Sequence, residues 1–341
     1  MLIYKKVCIS GMTGVSDENL NSYKTKVEER CPGAQVDILS KDILSEEEVI
    51  RQMQGYDILM SGFQTMTEKA YANTDLKAFV ACSIGVDFAN IKEATKHGVV
   101  VANNPTYCTE EVAEHTVALI LACARNVVKM SNAVREGKWG FPVIAPQYRF
   151  KGSTVGLYGF GRISRMLAEK LSGFGVNIIA SDPYITQEQV GDTGVTMVSF
   201  DELLERSDYI SLHAPLTEST KGIFNKEVFS RMKTSACIIN AARGPLINQP
   251  DLYDALTQGK IRAAALDVIE NEPPTDEDKK LLNLANVICT GHTGFYSVQA
   301  LEDQNNLTVD NIVRVLNGQL PQNIVNRDVI EKISWYNTKS N

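Results

Sequence analysis

An apolar run, Thr154-Val155-Gly156-Leu157-Tyr158, leads straight into Gly159-Phe160-Gly161-Arg162-Ile163-Ser164 and then into a helix-compatible stretch. This is G-x-G-x-x-G with serine in the third place. Gly159 makes the tight turn, and Gly161 lets the backbone approach a pyrophosphate that sits on the free N–H groups of the helix. Phe160, Arg162 and Ile163 belong to the same cofactor-binding turn. The third position needs a small residue where helix meets strand, and Ser164 is small enough. A lone Gly-rich turn is weak, but the context strengthens it. The next apolar run, Val176–Ala180, ends in Ser181-Asp182 about twenty residues past the glycines, where an acid accepts hydrogen bonds from ribose hydroxyls. That acid repels a 2′-phosphate, and no arginine follows within Pro183–Gln187. The expected cofactor is NAD rather than NADP.

The fingerprint opens a β/α series. Strands are expected at Thr154–Tyr158, Val176–Ala180, Tyr209–Leu212, Ala236–Ile239, Ala263–Val268 and Val287–Cys289. Six strands alternating with helices suit a doubly wound domain. The first hundred residues carry a second series. Its strands are expected at Lys6–Ser10, Gln35–Leu39, Tyr56–Ser61, Ala78–Cys82 and Val99–Ala102, with helix-compatible segments at Asp17–Arg30, Ser45–Gly55, Thr67–Asn73 and Asn90–His97. Short links of this kind imply a small parallel sheet covered on both faces. Asn103-Asn104-Pro105 breaks the pattern. A long helix is expected from an N-cap at Thr109 to about Met130, apolar nearly all round between Val117 and Ala124 and so buried on several sides, either between domains or subunits or in one core. A last amphipathic helix is expected from Val298 to Asn317, stopped by Gly318 and Pro321.

The 341 residues suggest two domains at roughly 100–200 residues each. Acidic residues outnumber basic ones 41 to 34, so general nucleic-acid binding is not expected. The 7 cysteines are widely spaced without a C-x-x-C and read as reduced core thiols of a cytoplasmic protein. No apolar run approaches the 18 or so residues of a membrane span, and the N-terminus carries no secretion signal. No metal-ligand set is read from the sequence.

Three strand ends carry chemistry. Arg243 follows Ala236–Asn240 and Ala241-Ala242, where open α/β sheets bind ligands, and a guanidinium recognises a carboxylate bidentately. Asp267-Val268 leads to Glu272-Pro273, and Val287–Thr290 leads to Gly291-His292-Thr293-Gly294. Each residue alone has an ordinary structural reading as an ion pair, a loop or a satisfied histidine. Of the remaining histidines, His97 reads as solvent-facing or stabilising a helix end. His115 reads as packing or as an interdomain hydrogen bond. His213 reads as a strand-end residue that shapes the site without moving protons.

In their order after the fingerprint, these blocks closely resemble the D-isomer-specific 2-hydroxyacid dehydrogenase family. The resemblance is carried by Gly156–Ile163, Ser211–Thr217, Asn240–Gly244, Leu266–Val268 with Glu272-Pro273, and His292 with Gly294. Gly85-Val86-Asp87 and Glu111–Thr116 also match, so the likeness runs from about Ser61 to Asn326. It implies two Rossmann-like doubly wound parallel-sheet domains with an active-site cleft between them. Residues 105–292 would be the NAD-binding domain, and 1–104 plus 293–341 the substrate-binding domain. It implies that Arg243 binds the substrate carboxylate and C2 oxygen, that His292 is the acid/base there, and that Glu272 orients the imidazole. Asp267 would sit near the nicotinamide carboxamide. His213, Ala214, Pro215, Thr220, Ala241, Ala242, Arg243, His292 and Gly294 would line the cofactor, and Ser83, Ile84 and Gly85 would offer N–H groups to the substrate carboxylate. It further implies a homodimer through the long helix. Hydride transfer to a 2-keto acid leaves an alkoxide, so a proton donor, its orienting carboxylate and a guanidinium together meet the need of the reaction.

The expected reaction is NAD-dependent interconversion of a 2-keto acid and a D-2-hydroxy acid. Met60-Ser61-Gly62 and Cys82-Ser83-Ile84 add no positive charge for a substrate phosphate, which argues against 3-phosphoglycerate. Glu272 stands where formate dehydrogenases of the superfamily tend to carry Gln. Asn90 stands where family members often have Asp. A non-catalytic NAD-sensing protein and a phosphite-type dehydrogenase share the same three residues and stand as alternatives.

Overall fold

The computed structural model describes residues 2–336. The chain divides into two compact units, Met1–Tyr107 with Ser297–Asn341, and Cys108–Tyr296.

The first unit is built on five strands: β1 (Lys6–Ser10), β2 (Gln35–Ser40), β3 (Ile58–Ser61), β4 (Ala78–Ala81) and β5 (Val100–Ala102). They pair in the order β2-β1-β3-β4-β5, all parallel. Side chains of a strand alternate between faces, and both faces are apolar here. Val7, Ile9, Ile58, Met60, Val80 and Val100 pack on one face with the helices Asp17–Arg30 and Val298–Leu316. Cys8, Leu59, Phe79 and Val101 pack on the other with Val49, Tyr71 and Ala94 from three short helices. Ser16 caps Asp17–Arg30, and Ser45 forms a reciprocal capping box with Glu48. The order reverses between β1 and β3, so ligand-binding loops are expected at the carboxyl ends of these strands and of β4.

The second unit has seven strands: β6 (Thr154–Tyr158), β7 (Asn177–Ser181), β8 (Val195–Met197), β9 (Tyr209–Leu212), β10 (Cys237–Asn240), β11 (Ala263–Leu266) and β12 (Val287–Cys289). All pairings are parallel, in the order β12-β11-β10-β9-β6-β7-β8. Counted from its own first strand this is the 3-2-1-4-5-6 order of a dinucleotide-binding sheet, extended by one strand. Tyr158, Ile210, Leu212, Ile238 and Leu266 face one core, and Val155, Leu157, Tyr209, Ile239 and Ala265 face the other.

Three expectations are corrected. The sheet has a seventh strand, β8, which was not expected because its three residues lie at the edge behind Gly191 and Gly194. The long helix is two: Thr109–Arg125 ends at Asn126, whose left-handed φ of 52° starts Val127–Arg135 at a bend of 61°. Asn tolerates that backbone better than most residues, so one polar residue ends an otherwise helical pattern. Thr109 is the first helical residue rather than the cap, which is Cys108. Of the alternatives for the surroundings of the first helix, core burial is the one observed: Ala113, Leu119, Ile120, Cys123 and Ala124 pack into the core of the second unit, with Leu167 and Leu171. Six of the seven cysteines are buried, Cys289 is exposed, and all are free thiols. Among the described residues no single helix is long and apolar enough to cross a membrane.

Candidate active site

The glycine turn sits where the strand order of the second unit reverses, between β6 and β9. Gly159 has φ +92°, and a β-carbon there would lie 2.8 Å from the Ala214 nitrogen and 2.9 Å from the His213 carbonyl carbon. Only glycine lets the end of β6 close on the end of β9 in this way. Gly161 is the N-cap of the helix Arg162–Leu171 and provides no side-chain cap. The backbone N–H groups of Gly161, Arg162 and Ile163 find no acceptor among the described residues. A β-carbon on Gly161 would meet nothing within 4 Å. Free donors at a helix N-terminus beside open space fit a pyrophosphate. Ser164 is buried and donates its Oγ hydrogen bond to the Gly159 carbonyl at 2.7 Å, so the serine in the third position ties the turn to the helix.

Asp182, just past β7, accepts from the Phe160 N–H through Oδ2 and from the Tyr184 N–H through Oδ1, both at 2.8 Å. Each carboxylate oxygen has two acceptor sites, so both retain capacity for ribose hydroxyls while the carboxylate is held in place. His213 ends β9 and shares a 2.9 Å hydrogen bond between Nε2 and Ser211 Oγ. Burial lowers its pKa to about 4, so it is neutral near pH 7. Ala214 is buried and Pro215 exposed beside it. The Thr220 hydroxyl donates to the Pro215 carbonyl at 2.7 Å and accepts from Thr217 N–H at 2.8 Å, so it holds this loop in shape.

Past β10, Asn240 is fully buried and clamps the turn that carries Arg243. Its Oδ1 accepts from Ala242 N–H at 3.0 Å, and its Nδ2 donates to the Arg243 carbonyl at 2.8 Å. Arg243 Nη1 donates to the Ala242 carbonyl at 2.8 Å. Ala241, Ala242 and Arg243 are all half-buried at the strand end. The sequence named Asn240 only as part of a block. A buried amide at a strand end was the signal for its clamping role.

His292 and Glu272 meet although twenty positions separate them. Nδ1 of His292 lies 2.6 Å from Glu272 Oε2, while Glu272 Oε1 accepts from the Ile269 N–H at 3.1 Å. The imidazole therefore donates through Nδ1, and its Nε2 has no protein partner among the described residues. His292 has φ 58°, a left-handed backbone following the left-handed Gly291. Strained backbone of this kind is held only where surroundings fix it. Here the His292 N–H donates to the Asp267 carbonyl.

Asp267 is buried just past β11. Its Oδ1 accepts from Thr290 Oγ1 at 2.6 Å and Thr293 N–H at 2.9 Å, and its Oδ2 accepts from Gly294 N–H at 2.9 Å. His115 Nε2 is 3.4 Å from Oδ1. Burial pushes the carboxyl pKa up, but the hydrogen bonds from His115, Thr290, Gly294 and Thr293 outweigh it and hold the group well below the usual carboxylate range.

In the first unit, the loop after β4 holds Ser83, Ile84 and Gly85. The Cys82 and Ser83 carbonyls accept from the Nδ2 and backbone N–H of Asn104, and the Ile84 carbonyl accepts from Asn103 Nδ2 at 2.7 Å. Ser83 Oγ donates to the Gly85 carbonyl at 2.7 Å. The carbonyls are thus tied down, while the backbone N–H groups of Ser83, Ile84 and Gly85 have no acceptor among the described residues. Three such donors in succession form a concavity suited to an anion.

The structure decides between the alternatives for two histidines. His97 stands at the C-terminal cap of the helix Ile91–Lys96, half-buried with Nε2 shut away from solvent, which is the helix-end reading. His115 makes its hydrogen bonds inside the second unit, to Thr290 and Asp267, and not between domains. Asn90 takes a left-handed φ of 45° and caps that same short helix through Glu93.

A parallel sheet in this order, with a free helix N-terminus and an anchoring acid at its reversal, defines a Rossmann dinucleotide-binding unit with a hydrogen-bonded His–Glu pair at its strand ends. The profile of the D-isomer specific 2-hydroxyacid dehydrogenase NAD binding domain matches residues 117–294. The chain is 39% identical over 291 residues to the D-3-phosphoglycerate dehydrogenase of Methanocaldococcus jannaschii, covering 83% of this chain and 54% of that protein. It thus spans about half the length of that relative. The glyoxylate reductase of Korarchaeum cryptofilum is 35% identical over 292 residues, covering 84% of this chain and 88% of that one. The crystal structure of D-lactate dehydrogenase from Aquifex aeolicus, complexed with NAD and lactic acid, superposes with a TM-score of 0.84 at 27% identity over 94% of this chain and 99% of that one. The chain belongs to the D-isomer specific 2-hydroxyacid dehydrogenase family, and its second unit is that family's NAD-binding domain.

Proposed function

We propose that this protein is an NAD-dependent 2-hydroxyacid dehydrogenase that interconverts a 2-keto acid and a D-2-hydroxy acid. The observation that carries the reading is the 2.6 Å contact between His292 Nδ1 and Glu272, which leaves Nε2 without a protein partner among the described residues. The nicotinamide, when bound, supplies or accepts the hydride at C2. Residues 159–163 hold the pyrophosphate, and Asp182 holds the adenosine ribose. Ala214, Pro215, Ala241 and Ala242 line the cofactor, the Thr220 hydroxyl keeps the Pro215–Thr220 loop in shape, and Asp267 and Gly294 stand near the carboxamide.

In the reducing direction, His292 Nε2 delivers a proton to the C2 oxygen. Glu272 accepts the Nδ1–H hydrogen bond and so fixes the tautomer and the aim of the ring. Arg243 binds the substrate carboxylate, and the N–H groups of Ser83, Ile84 and Gly85 offer an anion-binding concavity in the first unit. The absence of a cation at Met60-Ser61-Gly62 supports an unphosphorylated substrate. The acidic Asp182 supports NAD over NADP. Exposed apolar residues around Trp139 and Phe141 support a homodimer, and the seven free thiols support a cytoplasmic location.

The test is NADH consumption against a panel of 2-keto acids, with the chirality of the product assigned. Reduction to a D-2-hydroxy acid is expected. Tight NADH binding with no acid reduced would overturn the catalytic reading and favour an NAD-sensing role.

A further inference from the structure

His115 sits on the helix Thr109–Arg125, 175 residues from the threonine it contacts. Its Nε2 is 2.9 Å from Thr290 Oγ1 and 3.4 Å from Asp267 Oδ1. Thr290 Oγ1 spends its only proton on Asp267 Oδ1, at 2.6 Å. The hydroxyl can therefore only accept from the histidine, which makes Nε2 of His115 a donor. The imidazole also occupies space. A β-carbon on Gly294 would fall 3.1 Å from His115 Cδ2 and 2.8 Å from Asp267 Oδ2, so the chain passes the ring at a glycine.

The segment that His115 touches is the one that carries His292. Thr290 precedes it by two residues and Gly294 follows it by two. The Thr293 and Gly294 N–H groups end on the Asp267 carboxylate, and the His292 N–H ends on the Asp267 carbonyl. Asp267 is thus the post around which residues 290–294 wrap, and His115 braces that post from a separate element. We propose that His115 is a positioning residue: through Thr290 and Asp267, its Nε2–H fixes the left-handed turn that aims the His292 imidazole. This rests on the reading of His292 as the acid/base.

The donor, and not merely the ring, is what the turn needs. In His115→Phe the ring volume stays and the donor goes. In His115→Gln the side-chain amide can return a donor close to the Nε2 position. Both variants are made in the full chain and examined first without substrate, by hydrogen exchange. Losing the brace is expected to speed exchange at the Thr293 and Gly294 amides about tenfold in His115→Phe, the scale of one hydrogen bond, with His115→Gln close to wild type. With NADH and glyoxylate, His115→Phe is expected to lower kcat at least about tenfold, as for a misaligned catalytic group. His115→Gln restores most of kcat.

Equal exchange in wild type and His115→Phe, or equal losses in both variants, would overturn the proposal. If the wild-type protein reduces no 2-keto acid, the proposed activity fails instead. The exchange measurement then still decides whether His115 braces the turn.

Discussion

No side chain can be added to Gly244 without overlapping the carbonyl of Ile269. Gly244 follows Arg243 past β10, and Ile269 follows β11 and gives its N–H to Glu272. The loop of the guanidinium and the loop of the orienting carboxylate therefore touch backbone to backbone. Gly244→Ala must push them apart. Overpacking of this kind costs about 1–3 kcal/mol, and about 1 Å of displacement at reacting groups costs on the order of a hundredfold in rate. A fall in Tm together with a fall in kcat is expected. Wild-type turnover in Gly244→Ala would show that the two loops are not held by this contact.

On the proposed reading, His292→Ala removes the group that exchanges a proton at the C2 oxygen. A loss of at least about 10²-fold in kcat is expected, the lower end for a general acid. Glu272→Gln keeps an acceptor for Nδ1–H but withdraws the charge, so a smaller loss is expected. NADH titration by fluorescence should change little in either variant. Near-normal turnover in His292→Ala would remove it from the chemistry.

Much of this was legible in the sequence because parallel strands buried on both faces are short, apolar and bounded by polar links. Lys6–Ser10, Thr154–Tyr158, Tyr209–Leu212 and Val287–Cys289 appear where they are expected, to the residue. What failed depends on one backbone angle or on partners far along the chain. Asn126 ends a helix through a left-handed φ that no apolar pattern encodes. β8 has too few residues for alternation to register. Arg243, Glu272 and His292 are visible as strand-end residues, and the likeness to a known family orders them. Neither shows that His292 is itself left-handed, that Asn240 clamps the arginine turn, or that His115 reaches Thr290. Each of those is a property of two elements meeting.

His213 makes stability depend on pH in a stated direction. Its folded pKa is about 4, against about 6.5 for an unperturbed histidine. Between those values the unfolded chain takes up a proton that the folded chain refuses. The contribution of this group is fully present above about pH 6.5 and is lost as pH falls towards 4, with a slope of at most about 1.4 kcal/mol per unit. Denaturant unfolding of wild type and His213→Gln from pH 7.5 to 4.5 (about one unit beyond the upper limit of the window) isolates it. The variant should show the shallower decline, and parallel curves would contradict the burial of a neutral imidazole.

Trp139 and Phe141 are 83% and 81% exposed, and Val127 and Tyr148 are also exposed. Exposed large apolar side chains of this kind mark an association surface where they adjoin. If the protein is a homodimer that meets through them, as proposed, replacing Trp139 and Phe141 together by Glu should yield a species of half the mass in sedimentation analysis. An unchanged mass would overturn their place in such a contact.

Asp182 does two things at once, and its replacement should separate them. Its carboxylate accepts from Phe160 and Tyr184 N–H groups, and on the proposed reading its charge repels a phosphate on the adenosine ribose. Asp182→Ser retains a small polar acceptor but removes the charge. NADH use should fall, because the glycine turn loses a charge-assisted hydrogen bond and the ribose loses its acceptor. NADPH use should fall less or rise, because the repulsion of the 2′-phosphate is gone. The quantity to follow is the ratio of kcat/KM for NADPH to that for NADH, since damage to the turn affects both cofactors alike and cancels. No arginine stands in Pro183–Gln187 to grip the phosphate, so a higher ratio is expected without full conversion to NADPH. A ratio equal to that of wild type would mean that the carboxylate serves the turn alone and that cofactor choice is made by other residues.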